Sequence, residues 1–301
     1  MKIHLQKTLL LAISLQFITI GFVKAQTGTW TQVTNLAPDK NQGVMLLLTD
    51  GTVICHTQTG GGEGTGWDKL TPNASGSYVN GTWATIASNT YDRLFFSSQV
   101  LPSGKVYVAG GEYGHGDSAG EIYDPVANSW SLCGPVPNIT PAGLIHQKMI
   151  GLDDGNSEIL ADGRVLEGPQ VGLAPRGCCS VTNGYNILYY NPTTNLYSVG
   201  PNSPLNHDES QWLKLPDNSI LYVGLGTDSS CRYISATNTW VRDANLPVSL
   251  YDPFGEEAGS AFMLPNGKAI FFGATPHNAI YTPSGNTSPG SWVAAADFPT
   301  I

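Results

Sequence analysis

The sequence predicts an all-β fold, a β-propeller of four-stranded blades. Three observations carry that reading. No segment of the 301 residues keeps a 3.6-residue apolar period, and 35 Gly and 20 Pro break nearly every window. Such a chain makes short strands joined by tight turns. A hairpin turn beginning with Leu then recurs, with its fourth position at Gly51, Gly104, Gly163, Asn218 and Gly267, spaced 53, 59, 55 and 49 residues apart. Finally, aromatic pairs seven residues apart repeat in register: Tyr123 and Trp130, Tyr190 and Tyr197, Tyr233 and Trp240. A unit of about 50 residues with this punctuation is a propeller blade.

Residues 1–25 read as a signal peptide. Lys2 and Lys7 give a positive start, the stretch 9–23 is almost wholly apolar, and Val23-Lys24-Ala25 suits a signal peptidase. The alternative is an uncleaved anchor, but the run is short for a span and no second run of about 20 apolar residues follows. The expected product is a chain of about 275 residues, 26–301, placed in the periplasm, at the cell surface or outside the cell. Its net charge is −9 and its 14 basic residues are scattered, which excludes a nucleic-acid partner. Five cysteines (Cys55, Cys133, Cys178, Cys179, Cys231) include no C-x-x-C and no zinc spacing. An odd number leaves at least one without an internal partner. Most read as small buried apolar residues, although Cys178-Cys179 also admits a vicinal disulfide.

Each unit reads as an inner strand, a turn closed by Gly or Asn, a second strand, a longer loop, a third strand ending in Tyr, a short turn and an outer strand. The turn glycine supplies the positive φ that a tight hairpin requires. The second strands, such as Val106-Tyr107-Val108 and Ile220-Leu221-Tyr222-Val223, are apolar on both faces, as expected of a strand buried between sheets. Asn128, Asn195 and Asn238 fall at the same place in the outer turn, where a residue tolerant of left-handed φ is needed. The units run over about 30–83, 84–130, 131–197, 198–240 and 241–292.

The stretch 101–137, with Gly110-Gly111, then Tyr123, then Trp130, resembles a kelch repeat. The resemblance extends over nearly all of the chain after the signal, and it is strongest in this second unit. It implies a kelch-type propeller. Trp30 reads as part of an outer strand preceding the first full unit, so six outer strands face five inner ones. The expectation is a fragment of a six- or seven-bladed ring with further strands after Ile301. The alternative is a five-bladed ring with one added edge strand.

Strand direction puts the linkers into inner strands and the loops between second and third strands on one face. Function concentrates on such loops. The candidate ligand-binding residues there are Asp92, Arg93, His115, His146, His207, Glu209, Glu257 and His277. His and carboxylates around an opening suit a sugar, a divalent cation or acid–base work. The expected function is non-catalytic: a monomeric exported propeller binding a glycan or an extracellular protein, with no membrane span after signal removal. No motif calls for a metal or another cofactor. Two alternatives stand beside it. One is a carbohydrate-active enzyme, which the family resemblance admits in two forms. A copper radical oxidase would draft Cys178, Cys179 and Tyr185 with His207 and His277. A sialic acid mutarotase would use Glu209 or Glu257 with His277 or Arg93. The other alternative is a structural module of a longer surface protein.

Overall fold

The computed structural model describes residues 29–58, 63–116, 118–137, 151–152, 154–168, 187–207, 209–255 and 257–299. Among these there is no helix, and 20 of the 22 strands form five four-stranded antiparallel sheets. Blade 1 is β1 (Gln42–Leu47), β2 (Val53–Thr57), β3 (Gly66–Thr71) and β4 (Thr82–Ile86). A two-stranded ribbon of β5 (Arg93–Leu94) and β8 (Tyr113–Gly114) accompanies blade 2, which is β6 (Ser97–Val100), β7 (Val106–Ala109), β9 (Gly120–Asp124) and β10 (Ser129–Leu132). Blade 3 is β11 (Asn156–Ile159), β12 (Val165–Gly168), β13 (Leu188–Asn191) and β14 (Leu196–Val199). Blade 4 is β15 (Trp212–Lys214), β16 (Ile220–Val223), β17 (Ser230–Ile234) and β18 (Thr239–Arg242). Blade 5 is β19 (Ala261–Met263), β20 (Ala269–Phe272), β21 (Asn278–Thr282) and β22 (Ser291–Ala294).

The first strands neighbour one another in the order β1, β6, β11, β15, β19, which is radial stacking rather than one continuous sheet. The core is correspondingly divided into four clusters, each between consecutive blades. Ile54 and Trp67 of blade 1 meet Val106, Val108 and Tyr123 of blade 2. Tyr107 and Ile122 of blade 2 meet Leu188 and Tyr190 of blade 3. Leu166 and Tyr189 of blade 3 meet Tyr222 and Tyr233 of blade 4. Leu221 and Val223 of blade 4 meet Phe271 and Tyr281 of blade 5. The second strands of blades 2 and 4, Val106–Ala109 and Ile220–Val223, are therefore buried on both faces, which is why their sequences are apolar throughout. The outward faces of the first and fifth blades keep Met45, Leu47, Phe262 and Val293 exposed.

The recurring aromatics are cross-strand partners. Tyr123 stands opposite Trp130, Tyr190 opposite Tyr197, Tyr233 opposite Trp240 and Tyr281 opposite Trp292, with ring centroids 4.9–5.2 Å apart. The outer-turn asparagines do take positive φ, at 49°, 57° and 53° for Asn128, Asn195 and Asn238. Each accepts the hydroxyl of its own blade's tyrosine, at 3.0, 2.8 and 2.8 Å. Indole N–H groups tie outer strands to the chain leading in: Trp130 donates to the Ala87 carbonyl at 2.8 Å and Trp240 to that of Pro201 at 2.9 Å. Trp83 donates likewise to Asn35 at 3.1 Å, so the segment before blade 1 lies where later linkers lie. Trp30, expected in a strand, is fully exposed and outside regular structure. The cause is local: nothing described pairs with it, whereas Trp83 has β3 beside it.

Candidate functional site

The loop-rich face carries one compact constellation, built on the ribbon beside blade 2. Arg93 pairs with Gly114 and Leu94 with Tyr113. The ribbon forms because the glycine doublet turns the chain sharply after β7. Gly110 and Gly111 have φ of 75° and 128°. A Cβ on Gly110 would overlap the Leu152 carbonyl, and one on Gly111 would crowd the Arg93 side chain. Only glycine lets the backbone pass there.

Arg93 anchors the ribbon from below. Its side chain is fully buried and reaches Glu121, also fully buried, at 2.6 Å. It also donates to the carbonyls of Gly110 at 2.6 Å and Ala119 at 3.2 Å. Glu121 in turn accepts the backbone N–H groups of Thr90 at 2.7 Å and Tyr91 at 3.3 Å. The terminal guanidinium nitrogens of Arg93 thus serve the scaffold, and the fully buried side chain does not present its guanidinium to a ligand, contrary to the expectation from sequence. The reason is its place in a linker that dives under the ribbon.

Above this anchor the polar and aromatic groups face solvent. The Asp92 carboxylate meets His115 Nδ1 at 2.7 Å and accepts the His115 backbone N–H at 3.1 Å. The His115 hydrogen bond is the largest influence holding the Asp92 carboxyl below its ordinary range. Further along the same ribbon lie Phe95 and Tyr113, 59% and 48% exposed, with centroids 6.2 Å apart in an edge-to-face arrangement. Phe95 has φ of 54°, an unfavourable conformation for a bulky side chain. It is held out in the open rather than folded into the core. Sequence reasoning missed both aromatics. Phe95 sits in the apolar run Leu94-Phe95-Phe96, and Tyr113 follows the glycine doublet without a repeat-wide counterpart.

The other candidates sit on other blades with other neighbours. His207 is buried, with its ring edge-on to Trp212 at 5.8 Å and to Tyr222 at 6.5 Å, so it belongs to the core rather than the surface. Glu209, half-buried at φ of 46°, follows it in the same linker. Glu257 is exposed, and its carbonyl accepts the Asp252 N–H at 3.0 Å. His277 pairs with Asp297 at 3.0 Å. His146, like Cys178, Cys179 and Tyr185, lies outside the described residues. Among the described residues no group of three or more His, Cys, Asp or Glu is placed to hold a metal ion. Cys55, Cys133 and Cys231 are free thiols, and burial raises all three above the usual range.

The model of the kelch motif matches residues 100–137, the unit that supplies the glycine doublet and the Tyr123–Trp130 pair. That unit carries a kelch motif, and the fold is a β-propeller of four-stranded blades. No curated protein matches it in sequence. Among solved structures, a catalytically inactive virginiamycin B lyase from Staphylococcus aureus with quinupristin aligns over 86% of this chain and 71% of that one, with a TM-score of 0.57 and 8% identity. That likeness concerns the fold alone. YjhT aligns with a TM-score of 0.49 and 17% identity, over 76% of this chain and 69% of its own. A fungal alcohol oxidase in complex with copper gives 0.43 and 18%, over 77% of this chain and 58% of that one.

Proposed function

We propose that this kelch propeller is an exported, non-catalytic protein that binds a glycan on its loop-rich face, at the ribbon beside blade 2. One observation carries the reading: two exposed aromatic rings, one in a strained backbone conformation, share a ribbon with a carboxylate–imidazole pair. Strained residues persist only where the surroundings over-determine them, and they concentrate at ligand sites. A sugar ring offers an apolar face for Phe95 and Tyr113 and hydroxyls for Asp92 and His115. Buried Arg93 and Glu121 fix the ribbon before the ligand arrives, which limits the ordering cost of binding.

A glycan-array screen of the complete chain tests this. Binding to at least one glycan is expected, with loss of that signal in a Phe95→Ser/Tyr113→Ser variant of unchanged melting temperature. An array with no signal, together with a co-purifying extracellular protein whose capture depends on the same two rings, would replace the glycan with a protein ligand. A glycan signal indifferent to both rings would remove the site.

A further inference from the structure

A cavity of about 580 Å³ lies on the opposite side, where the inner hairpin turns of blades 3 and 4 approach each other. The outer turns of blades 4 and 5 complete its walls. Blade spacing alone leaves a smaller depression of about 380 Å³ between blades 2 and 3, lined by the corresponding repeated turns. What sets the larger cavity apart is its cap. In blades 2, 3 and 4 four residues separate the third and fourth strands, whereas in blade 5 the connection is the eight residues 283–290.

That longer connection reaches blade 4 and is held there by Arg232, whose side chain is fully buried. Arg232 donates to the carbonyls of Asn286 at 3.1 Å and Ser288 at 2.6 Å, and its Nε meets Asp243 at 2.5 Å. Asp243 also accepts the Gly290 N–H at 2.9 Å and the Tyr281 hydroxyl at 3.0 Å. A buried guanidinium is tolerated only when its donors are satisfied. Here they fix the position of one surface turn, which an ordinary four-residue hairpin would not need.

The polar groups inside are pre-positioned as well. Arg164 is paired with Asp162 at 2.7 Å and lies 4.3 Å above the Tyr189 ring. On the facing turn, Asp217 Oδ1 is occupied by the Ser219 N–H at 3.0 Å and hydroxyl at 2.6 Å. Its Oδ2 lies 3.5 Å from Arg232. Asn286 and Thr287 look in from the cap, and Leu160 and Ile234 supply an apolar wall. The charges of Asp162 and Asp217 are offset by Arg164 and by Arg232 behind the wall, so the cavity favours neither a polyanion nor a polycation. Its volume suits a small molecule and not a macromolecule. Planar carboxylate, guanidinium and amide groups beside an apolar wall match a ring with vicinal hydroxyls on its rim and C–H groups on its face.

We propose that this capped cavity is a second ligand site, taking a neutral carbohydrate of one or two rings. It does not depend on the ribbon site. Saturation-transfer difference NMR of the complete chain with galactose, N-acetylglucosamine, lactose and cellobiose tests it. At least one of these sugars is expected to bind, and its affinity to fall by roughly tenfold or more in Thr287→Trp, which fills the cavity from the exposed cap. Arg164→Gln is expected to do the same by removing a donor without adding bulk. Binding is expected to persist in Phe95→Ser/Tyr113→Ser. No transfer from any of the four sugars, or binding unchanged in both cavity variants, overturns the proposal. Binding lost only in the ribbon variant also overturns it, while supporting the loop-face reading.

Discussion

Asn128 joins two blades. Its side-chain oxygen accepts the backbone N–H of Ala87 at 3.0 Å, and Ala87 belongs to the chain leaving blade 1. The same oxygen takes the Tyr123 hydroxyl within its own blade at 3.0 Å. Asn195 repeats the arrangement by donating to the Leu132 carbonyl at 3.2 Å, and Asn238 by bonding Tyr189 as well as Tyr233. Asn128→Gly keeps the backbone conformation and loses the bonds, at a cost of about 1 kcal/mol. Asn128→Ala adds left-handed strain of about 1–2 kcal/mol. Urea unfolding should therefore rank Ala below Gly; equal losses would mean that the backbone conformation is immaterial.

Arg93 and Glu121 are fully buried, so removing one leaves the other uncompensated. Arg93→Met should cost about 3–5 kcal/mol. The Arg93→Met/Glu121→Leu double variant should recover part of that loss. Equilibrium unfolding of the parent and the two variants checks the ordering. Glycan binding at the ribbon should fall in the single variant even where the protein remains folded.

Glu167 is a buried carboxyl with Ser97 at 3.0 Å and Tyr107 at 3.2 Å, and burial pushes its pKa up to about 8 from 4.5. The folded chain thus holds a proton that the unfolded chain releases. Its contribution to stability is complete below about pH 4.5 and is lost as pH rises toward 8. The Glu167→Gln variant should flatten the decline in melting temperature across that window. A slope equal to that of the parent would place the titration elsewhere.

Phe95 spends its backbone in an unfavourable region while its ring stays in water. Phe95→Gly should leave thermal stability unchanged or raise it by about 1 kcal/mol, since the strain is relieved. Ligand affinity should fall at the same time. A variant that unfolds more readily would show the ring to be a packing element.

The repeat was legible because the turn chemistry is local: Gly51, Gly104 and Asn128 announce their φ in the residue type itself. The aromatic register was legible because cross-strand partners in a short hairpin keep a constant spacing. The site was less so. Arg93 and His207 have the residue types of a binding site, but their burial depends on which side of a linker faces the next blade, and no local pattern encodes that. Phe95 and Tyr113 are 18 positions apart and meet only through the ribbon. The cap over the third and fourth blades depends on Arg232 and the residues 283–290, a contact across more than 50 positions.

The Asn and Trp ties described above run from each blade to its predecessor or to the segment leading into it. Registry is thus handed along the chain, neighbour to neighbour, and needs no master contact across the axis. Pulled from the blade 5 side, the described blades should give way in steps of one blade, each step leaving the preceding ones intact.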